Sequence, residues 1–182
     1  MNYLMLIGDA FEDVEAIATL DVLLRGGESV TCASMMKKKE IKTKCGNEMF
    51  FPTLINDVNM DDFDALIIPG GPGSFKILAF MEEVNEIINH FVKHDKLVCA
   101  ICAAPMLIGR LGYLNNKSFT CHPGFEDKVI GGKYLREEGV VQDGKFITAK
   151  SMFYSIEFGL KIYAYFHGID ESEKLRKACQ GE

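Results

Sequence analysis

Residues 97–112 read LVCAICAAPMLIGRLG, and Cys102 stands where an apolar, β-branched run gives way to an amphipathic helical pattern. A cysteine in that place can act as a nucleophile. Strand-to-helix elbows carry a reactive side chain on a sharp, strained turn, and the crowding there calls for small flanking residues. Ala100 and Ala104, two residues to either side, meet that need. An ordinary buried cysteine closing a core strand fits the same residues, so the partners have to decide. A helix beginning at Cys102 would lower its thiol pKa and favour the reactive thiolate. The amide of Ala103 would then face the same pocket.

Three further stretches offer partners. Glu15 lies at the edge of an apolar helical stripe with Ala18 and Val22 at i+3 and i+7. Partial desolvation there would raise its pKa and favour a protonated carboxyl, which can donate a hydrogen bond to a thiolate. A first-turn glutamate favoured by the helix dipole is the plain alternative, and Glu12 and Asp13 fit that description. PGGPGS, residues 69–74, could aim the amides of Gly70 and Gly71 at a developing oxyanion, since glycine lets backbone approach closely. It could equally be a tight turn. His122 precedes Pro123 at a strand end and suits acid–base work or substrate contact, or a histidine tied to backbone.

Other groupings point away from chemistry. Cys99 and Cys102 spell C-x-x-C, but a strand between them would put them roughly 10 Å apart, tending to opposite faces. A disulfide needs Cα atoms about 5.5 Å apart, so Cys99 reads as core. Glu86, His90 and His94 recur every four residues, a spacing that allows a metal. Their setting, EEVNEIINHFVKHDK, reads as a solvated helix face, and no metal is expected. Asp21 and Arg25 form an i,i+4 pair on the apolar stripe of the first helix. That pair marks either a subunit contact or a buried intrachain pair.

The elements that must position these residues alternate. Strands are expected at 3–8, 29–34, 64–69, 96–101 and 119–123, and helices at 12–25, 81–94, after Cys102, and at 155–166. Residues 36–52 form a polar hairpin or excursion. GVVQDGKFITA, 139–149, makes a hairpin whose Asp143-Gly144 suits a type I′ turn. A short charged tail closes the chain. Buried strands alternating with helices make one doubly wound α/β domain over residues 1–182, its sheet mostly parallel with helices on both faces. In such sheets ligands bind at the carboxyl ends of strands near a switch in strand order. GDAFEDVE, PGGPGS, CAA and CHPGFED all fall at such ends.

Composition excludes several classes. The 182 residues are 48% hydrophobic and 25% charged, with formal net charge −6. That acidity argues against nucleic acid or an anionic membrane surface as partner. The N-terminal run MNYLMLIGDAFEDVEA lacks the basic start of a signal peptide. The longest apolar run, 97–109, is too short to span a bilayer. A cytoplasmic address is expected, and with it six reduced cysteines. PGGPG is not the G-x-G-x-x-G fingerprint and no Walker loop occurs, so no nucleotide cofactor is expected.

Taken together and in order, these motifs resemble the ThiJ/PfpI superfamily, specifically its Parkinsonism-protein (DJ-one) branch. AICAAP (100–105) resembles the cysteine elbow, EDVEA (12–16) the stretch carrying the acid, IIPGGPG (67–73) the oxyanion turn, and TCHP (120–123) the histidine site. SIEFGL (155–160) resembles the start of the closing helix, and DVLLRGG (21–27) a dimer-contact segment. The resemblance implies a flavodoxin-like fold, a homodimer, and no metal or organic cofactor. It implies that Cys102 and a protonated Glu15 act as a unit, with Gly71 and Ala103 amides on the oxygen and His122 on the substrate. The implied activity is glutathione-independent conversion of methylglyoxal to lactate, or repair of glycated amines. A redox-sensing or chaperone-like role, with Cys102 oxidised to a sulfinic acid, would use the same residues.

Departures from the pattern narrow this. The protease-like branch places a histidine directly after the elbow cysteine, where this chain has Ala103, so proteolysis is not expected. Amidotransferases with a similar elbow use a late H-x-E, which does not occur. The thiazole-biosynthesis label given to such sequences has no counterpart in these residues. The basic residue that the Parkinsonism branch brings to its pocket from near residues 44–49 has no clear match, Cys45-Gly46-Asn47 occupying that place.

Overall fold

Alternation within the strands decides the layering. In the computed structural model, which describes residues 1–182, Tyr3, Met5 and Ile7 pack into one core while Leu4 and Leu6 pack into another. These residues belong to β1 (Asn2–Ile7), and the same division repeats in β6 (Ala65–Ile68) and β7 (Leu97–Ile101). A strand whose side chains are apolar on both faces must be covered on both. α1 (Asp13–Arg25) and α5 (Ser155–His167) cover one face, with Ala16, Leu23, Phe158 and Ile162 inward. The short α2 (Pro72–Lys76), α3 (Glu82–Lys93) and α4 (Pro105–Gly109) cover the other. In α3 the inward residues Val84, Ile87, Ile88 and Phe91 recur at i, i+3, i+4 and i+7 and are essentially buried. Each such side chain contributes roughly 1.5–3 kcal/mol on leaving water.

The central sheet has seven strands in the order β10-β11-β7-β6-β1-β2-β5, with β2 (Ser29–Ser34), β5 (Thr53–Leu54), β10 (Val140–Asp143) and β11 (Phe146–Ala149) completing it. All neighbours are parallel except β10 and β11. The chain runs from β1 outward to β2, then returns to place β6 on the other side of β1, so the switch in order lies between β1 and β6. The excursion forms the hairpin β3 (Glu40–Lys42) with β4 (Glu48–Phe50). This is the flavodoxin-like α/β arrangement. No helix is long and apolar enough to cross a membrane.

Three local expectations are corrected. Residues 119–123 are not a fifth sheet strand: only Ser118–Phe119 is extended, as β8, paired in a separate small sheet with β9 (Lys133–Tyr134). The place beside β7 is taken by β11, and Pro123 has no N–H to contribute to a ladder. The β10–β11 loop is Gly144-Lys145, because Asp143 pairs with Phe146. Only its first residue has positive φ (58°), the pattern of a type II′ turn rather than I′. The charged tail is helical as α6 (Ile169–Gln180), which seats Leu175 against Val22 and Leu160. Gly168, at φ 87°, separates it from α5.

Candidate active site

Cys102 has φ 65°, in the left-handed region where a non-glycine residue carries about 1–2 kcal/mol of strain. Two backbone bonds hold it there: its N–H donates to the Ala149 carbonyl at 2.8 Å, and its carbonyl accepts from the His122 N–H at 2.8 Å. The conformation also settles where the thiol goes. Straight continuation of β7 would point residue 102 to the side of Val98 and Ala100, beneath α3 and α4. Instead Cys102 packs against the cluster under α1, with Cys99, while Ala104 joins the opposite core. Cys99 and Cys102 therefore share a face, contrary to the expectation from strand alternation, because the strand ends at Ile101. Both cysteines are free thiols, and burial holds the Cys99 thiol well above its ordinary range.

Glu15 is on that same side, only 1% exposed on the first turns of α1. Its Oε2 accepts the Gly70 N–H at 2.9 Å, and its carboxyl hydrogen-bonds the Cys102 thiol. Gly70 is the spacer between them: a Cβ there would lie 2.6 Å from both the Cys102 Cβ and Glu15 Oε2. This corrects the expectation that the Gly70 amide faces an oxyanion, since that amide is spent on Glu15. Gly71 does line the pocket with Ala103, and both amides hydrogen-bond the Cys102 sulfur. Gly71 needs φ 83°, and a Cβ on it would meet the Glu12 nitrogen at 2.5 Å.

Burial pushes the Glu15 carboxyl up to about 7, against hydrogen bonds from Cys102 and Gly70 that pull it down. Burial, then the Glu15 charge, pushes the Cys102 thiol up to about 12, while the Gly71 and Ala103 amides oppose the rise. The expectation of a thiol lowered by a helix start is corrected on two counts. The helix α4 begins at Pro105, three residues on, and spans only five residues. The thiol is moreover buried against a carboxyl. Between those two values the pair therefore holds a single proton. With Glu15 ionised the proton stays on sulfur, and a thiolate exists only when the proton sits on Glu15.

His122 borders the same pocket, exposed, its Nδ1 at 2.9 Å from the Pro123 carbonyl. A carbonyl can only accept, so the neutral ring carries its proton on Nδ1 and leaves Nε2 as an acceptor. The pocket encloses about 230 Å³ and is walled by Phe75 and Phe125, whose rings lie 5.0 Å apart. Several lining residues escaped the sequence reading: Lys44, Phe75 and Phe125 were not singled out, and Glu12 was read only as a helix-dipole carboxylate. Lys44, on the excursion, reaches the pocket from within the same chain and pairs with Glu12 at 2.8 Å. Its backbone N–H donates to the Phe11 carbonyl, and Asp13 secures the loop by accepting from the Cys45 N–H and the Asn47 side chain. Ile41 and Thr43 are buried on the hairpin, and the chain at Lys44 turns back over α1, a placement that no local sequence pattern marks. Glu12, Asp13 and Cys45 lie close enough for a metal, but Lys44 and the loop donors already engage both carboxylates.

The Asp21–Arg25 pair lies apart from this cluster, 2.8 Å long and more than half exposed on both sides. It is therefore not a buried intrachain pair. Ala18, Val22, Ile156 and Cys179 share its shallow groove.

Comparison with known proteins gives the arrangement relatives. The chain is 36% identical over 168 residues to the glutathione-independent glyoxalase DJR-1.2 of Caenorhabditis elegans, covering 91% of this chain and 88% of that protein. It is 32% identical over 151 residues to a deglycase of Pyrococcus abyssi, covering 82% and 90%. The crystal structure of Drosophila melanogaster DJ-1beta matches with a TM-score of 0.91 at 27% identity, covering 98% and 97% of the two chains. A family model, the DJ-1/PfpI family, matches residues 1–165. The chain belongs to the DJ-1/PfpI family.

Proposed function

We propose that this chain is a cofactor-independent enzyme of the glyoxalase or deglycase type, acting on small 2-oxoaldehydes such as methylglyoxal. The observation that carries the reading is the Cys102 thiol held in a left-handed turn against the buried Glu15 carboxyl. A glyoxalase and a deglycase among its relatives support it. In the proposed reaction the Cys102 proton passes to Glu15 and the sulfur adds to the aldehyde carbon. The oxygen collects that proton and forms a hemithioacetal, with the Gly71 and Ala103 amides as donors to it. Glu15, now a carboxylate, removes the proton from the former aldehyde carbon and returns it to the neighbouring carbon through an enediol, while the hydroxyl proton of the first oxygen passes to the former ketone oxygen. The product is a thioester of lactate on Cys102. Water hydrolyses it, so that one methylglyoxal and one water become one lactate with no net redox change. His122 Nε2 and Lys44 are the polar contacts available at the mouth, and Lys44 suits the carboxylate that leaves.

Lactate formation from methylglyoxal, without glutathione or added metal, tests this in the wild type and in Cys102→Ser. Turnover by the wild type and none by the variant is expected; equal turnover by both, or none by either, overturns the reading. The same geometry favours a second role. The Gly71 and Ala103 amides and a protonated Glu15 could hold a Cys102 sulfinate formed by peroxide, and partner binding would be the readout. We also assign a homodimer face to the outer side of α1, the turn Met152–Tyr154 and the start of α5, where Val14, Ile17, Phe153 and Ile156 are exposed around Asp21 and Arg25. Phe153 is 84% exposed, and Phe153→Glu should convert a dimer to a monomer in light scattering; a monomeric wild type would remove the assignment.

A further inference from the structure

The helix α3 ends in a cluster that the Cys102 pocket does not use. His90 and His94 are one turn apart with ring centroids 4.2 Å from each other. Asp61 comes to them from a different element, the 3-10 turn Met60–Asp62 that precedes β6. One ligand atom from each of the three lies within 4.8 Å of the other two. Glu86, the acid that the helical spacing suggested, is not part of the group; the third side comes from the neighbouring turn.

Two observations give the cluster a direction. The Nε2 of His90 is covered from solvent, lacks a hydrogen bond, and stands 3.2 Å from Asp61 Oδ1 without bonding alignment. An imidazole nitrogen and a carboxylate oxygen thus face each other at the mouth of the cluster, two donor types that one cation can share. His94 is arranged as metal-binding histidines commonly are. Its Nδ1 lies 2.8 Å from the His90 carbonyl, which can only accept, so the proton is on Nδ1 and Nε2 carries the lone pair. Lys96 donates to the carbonyls of Met60 and Asp61 at 3.1 and 3.0 Å. It thereby fixes the turn that presents the carboxylate, and its charge is one a bound cation has to tolerate.

We propose that Asp61, His90 and His94 form a site for a divalent transition metal, zinc in the first instance, that ties the end of α3 to the turn leading into β6. Two imidazoles and one carboxylate are a nitrogen- and oxygen-donor set suited to zinc, with water completing a tetrahedron. A zinc ion with ligands at about 2.1 Å holds donor atoms roughly 3.4 Å apart. Modest side-chain movements close the cluster to that size. The site is independent of the reaction at Cys102.

Titration of the full-length protein with zinc, followed by calorimetry, and with cobalt(II), followed by visible absorption, tests the proposal. One ion per chain is expected, with cobalt bands in the visible and no thiolate-to-metal charge transfer. His94→Gln and Asp61→Asn should each weaken binding tenfold or more, and zinc should raise the melting temperature of the wild type but not of His94→Gln. These side chains lie at the surface, so both variants should keep the wild-type circular dichroism. Glu86→Gln should bind as the wild type does. No binding, binding unchanged in His94→Gln and Asp61→Asn, or a thiolate charge-transfer band would overturn the assignment.

Discussion

Lowering the pH should disable the Cys102–Glu15 pair in a calculable way. The reactive form of the pair carries one proton, and acid adds a second. With Glu15 raised by burial to about 7, the one-proton form is half populated near pH 7. It falls to roughly one part in ten at pH 6 and one in a hundred at pH 5. kcat/KM for methylglyoxal should therefore rise with a slope of one up to about pH 7 and level off above it, a loss of roughly 100-fold at pH 5. An unburied glutamate would place the same limb near pH 4.5, out of sight of such an assay. The assay is lactate formation at low substrate from pH 5 to 9, with Glu15→Gln in parallel. Glutamine keeps the shape and can still accept from the Gly70 N–H, but it does not titrate, so the limb should vanish along with most of the rate. An activity independent of pH between 5 and 8 in the wild type, or the same limb in Glu15→Gln, would refute the shared proton.

Three further outcomes follow from the same geometry. Gly70→Ala puts a Cβ 2.6 Å from both Cys102 Cβ and Glu15 Oε2, so the two must part by about 1 Å. Misplacement on that scale costs on the order of 10²-fold in kcat/KM, and retention of more than a tenth of the activity would show that the pair tolerates separation. Lys44 lowers the Glu15 pKa through its charge, so Lys44→Met should move the acid limb to higher pH; an unmoved limb would remove Lys44 from the site's electrostatics. Glu15→Gln should also be more stable than the wild type above pH 7. A carboxyl raised in the folded state from 4.5 to about 7 penalises folding once ionised, by roughly 3 kcal/mol. That penalty is absent below the unfolded pKa and grows between pH 4.5 and 7, so the gain in urea midpoint should appear at pH 8 and disappear at pH 4.

Much of this site was legible because open parallel sheets put loops at the carboxyl ends of strands, and the unusual residues stood where strands had to end. Glu15, Gly71, Ala103, Cys102 and His122 could be named as candidates from type and position, and the resemblance joined them into one site. What could not be read was direction. Strand alternation sends residue 102 to the wrong face, and only its φ of 65° turns the thiol toward Glu15. Gly70 and Gly71 are equivalent as letters, yet one amide binds the acid and the other faces the pocket. The level of the thiol pKa depended on where α4 starts, and Pro105 delays it past the cysteine. Lys44 was obscured because its placement follows from how the β3–β4 hairpin folds back over α1, a long-range contact with no local pattern. The same holds for Asp61, which meets His90 from another element. Residues 119–123 looked like a strand by composition, but the sheet position beside β7 belonged to β11.

The central claim is that Cys102 bonds to the substrate and Glu15 then moves the proton. Acid quenching of a single turnover with methylglyoxal, followed by peptide mass spectrometry, reads both parts at once. The account predicts one adduct of substrate mass on Cys102 that decays as lactate appears in the wild type, and that accumulates without lactate in Glu15→Gln. Lactate formed with Cys102 unmodified throughout, or an adduct on Cys45 that tracks product instead, would contradict it.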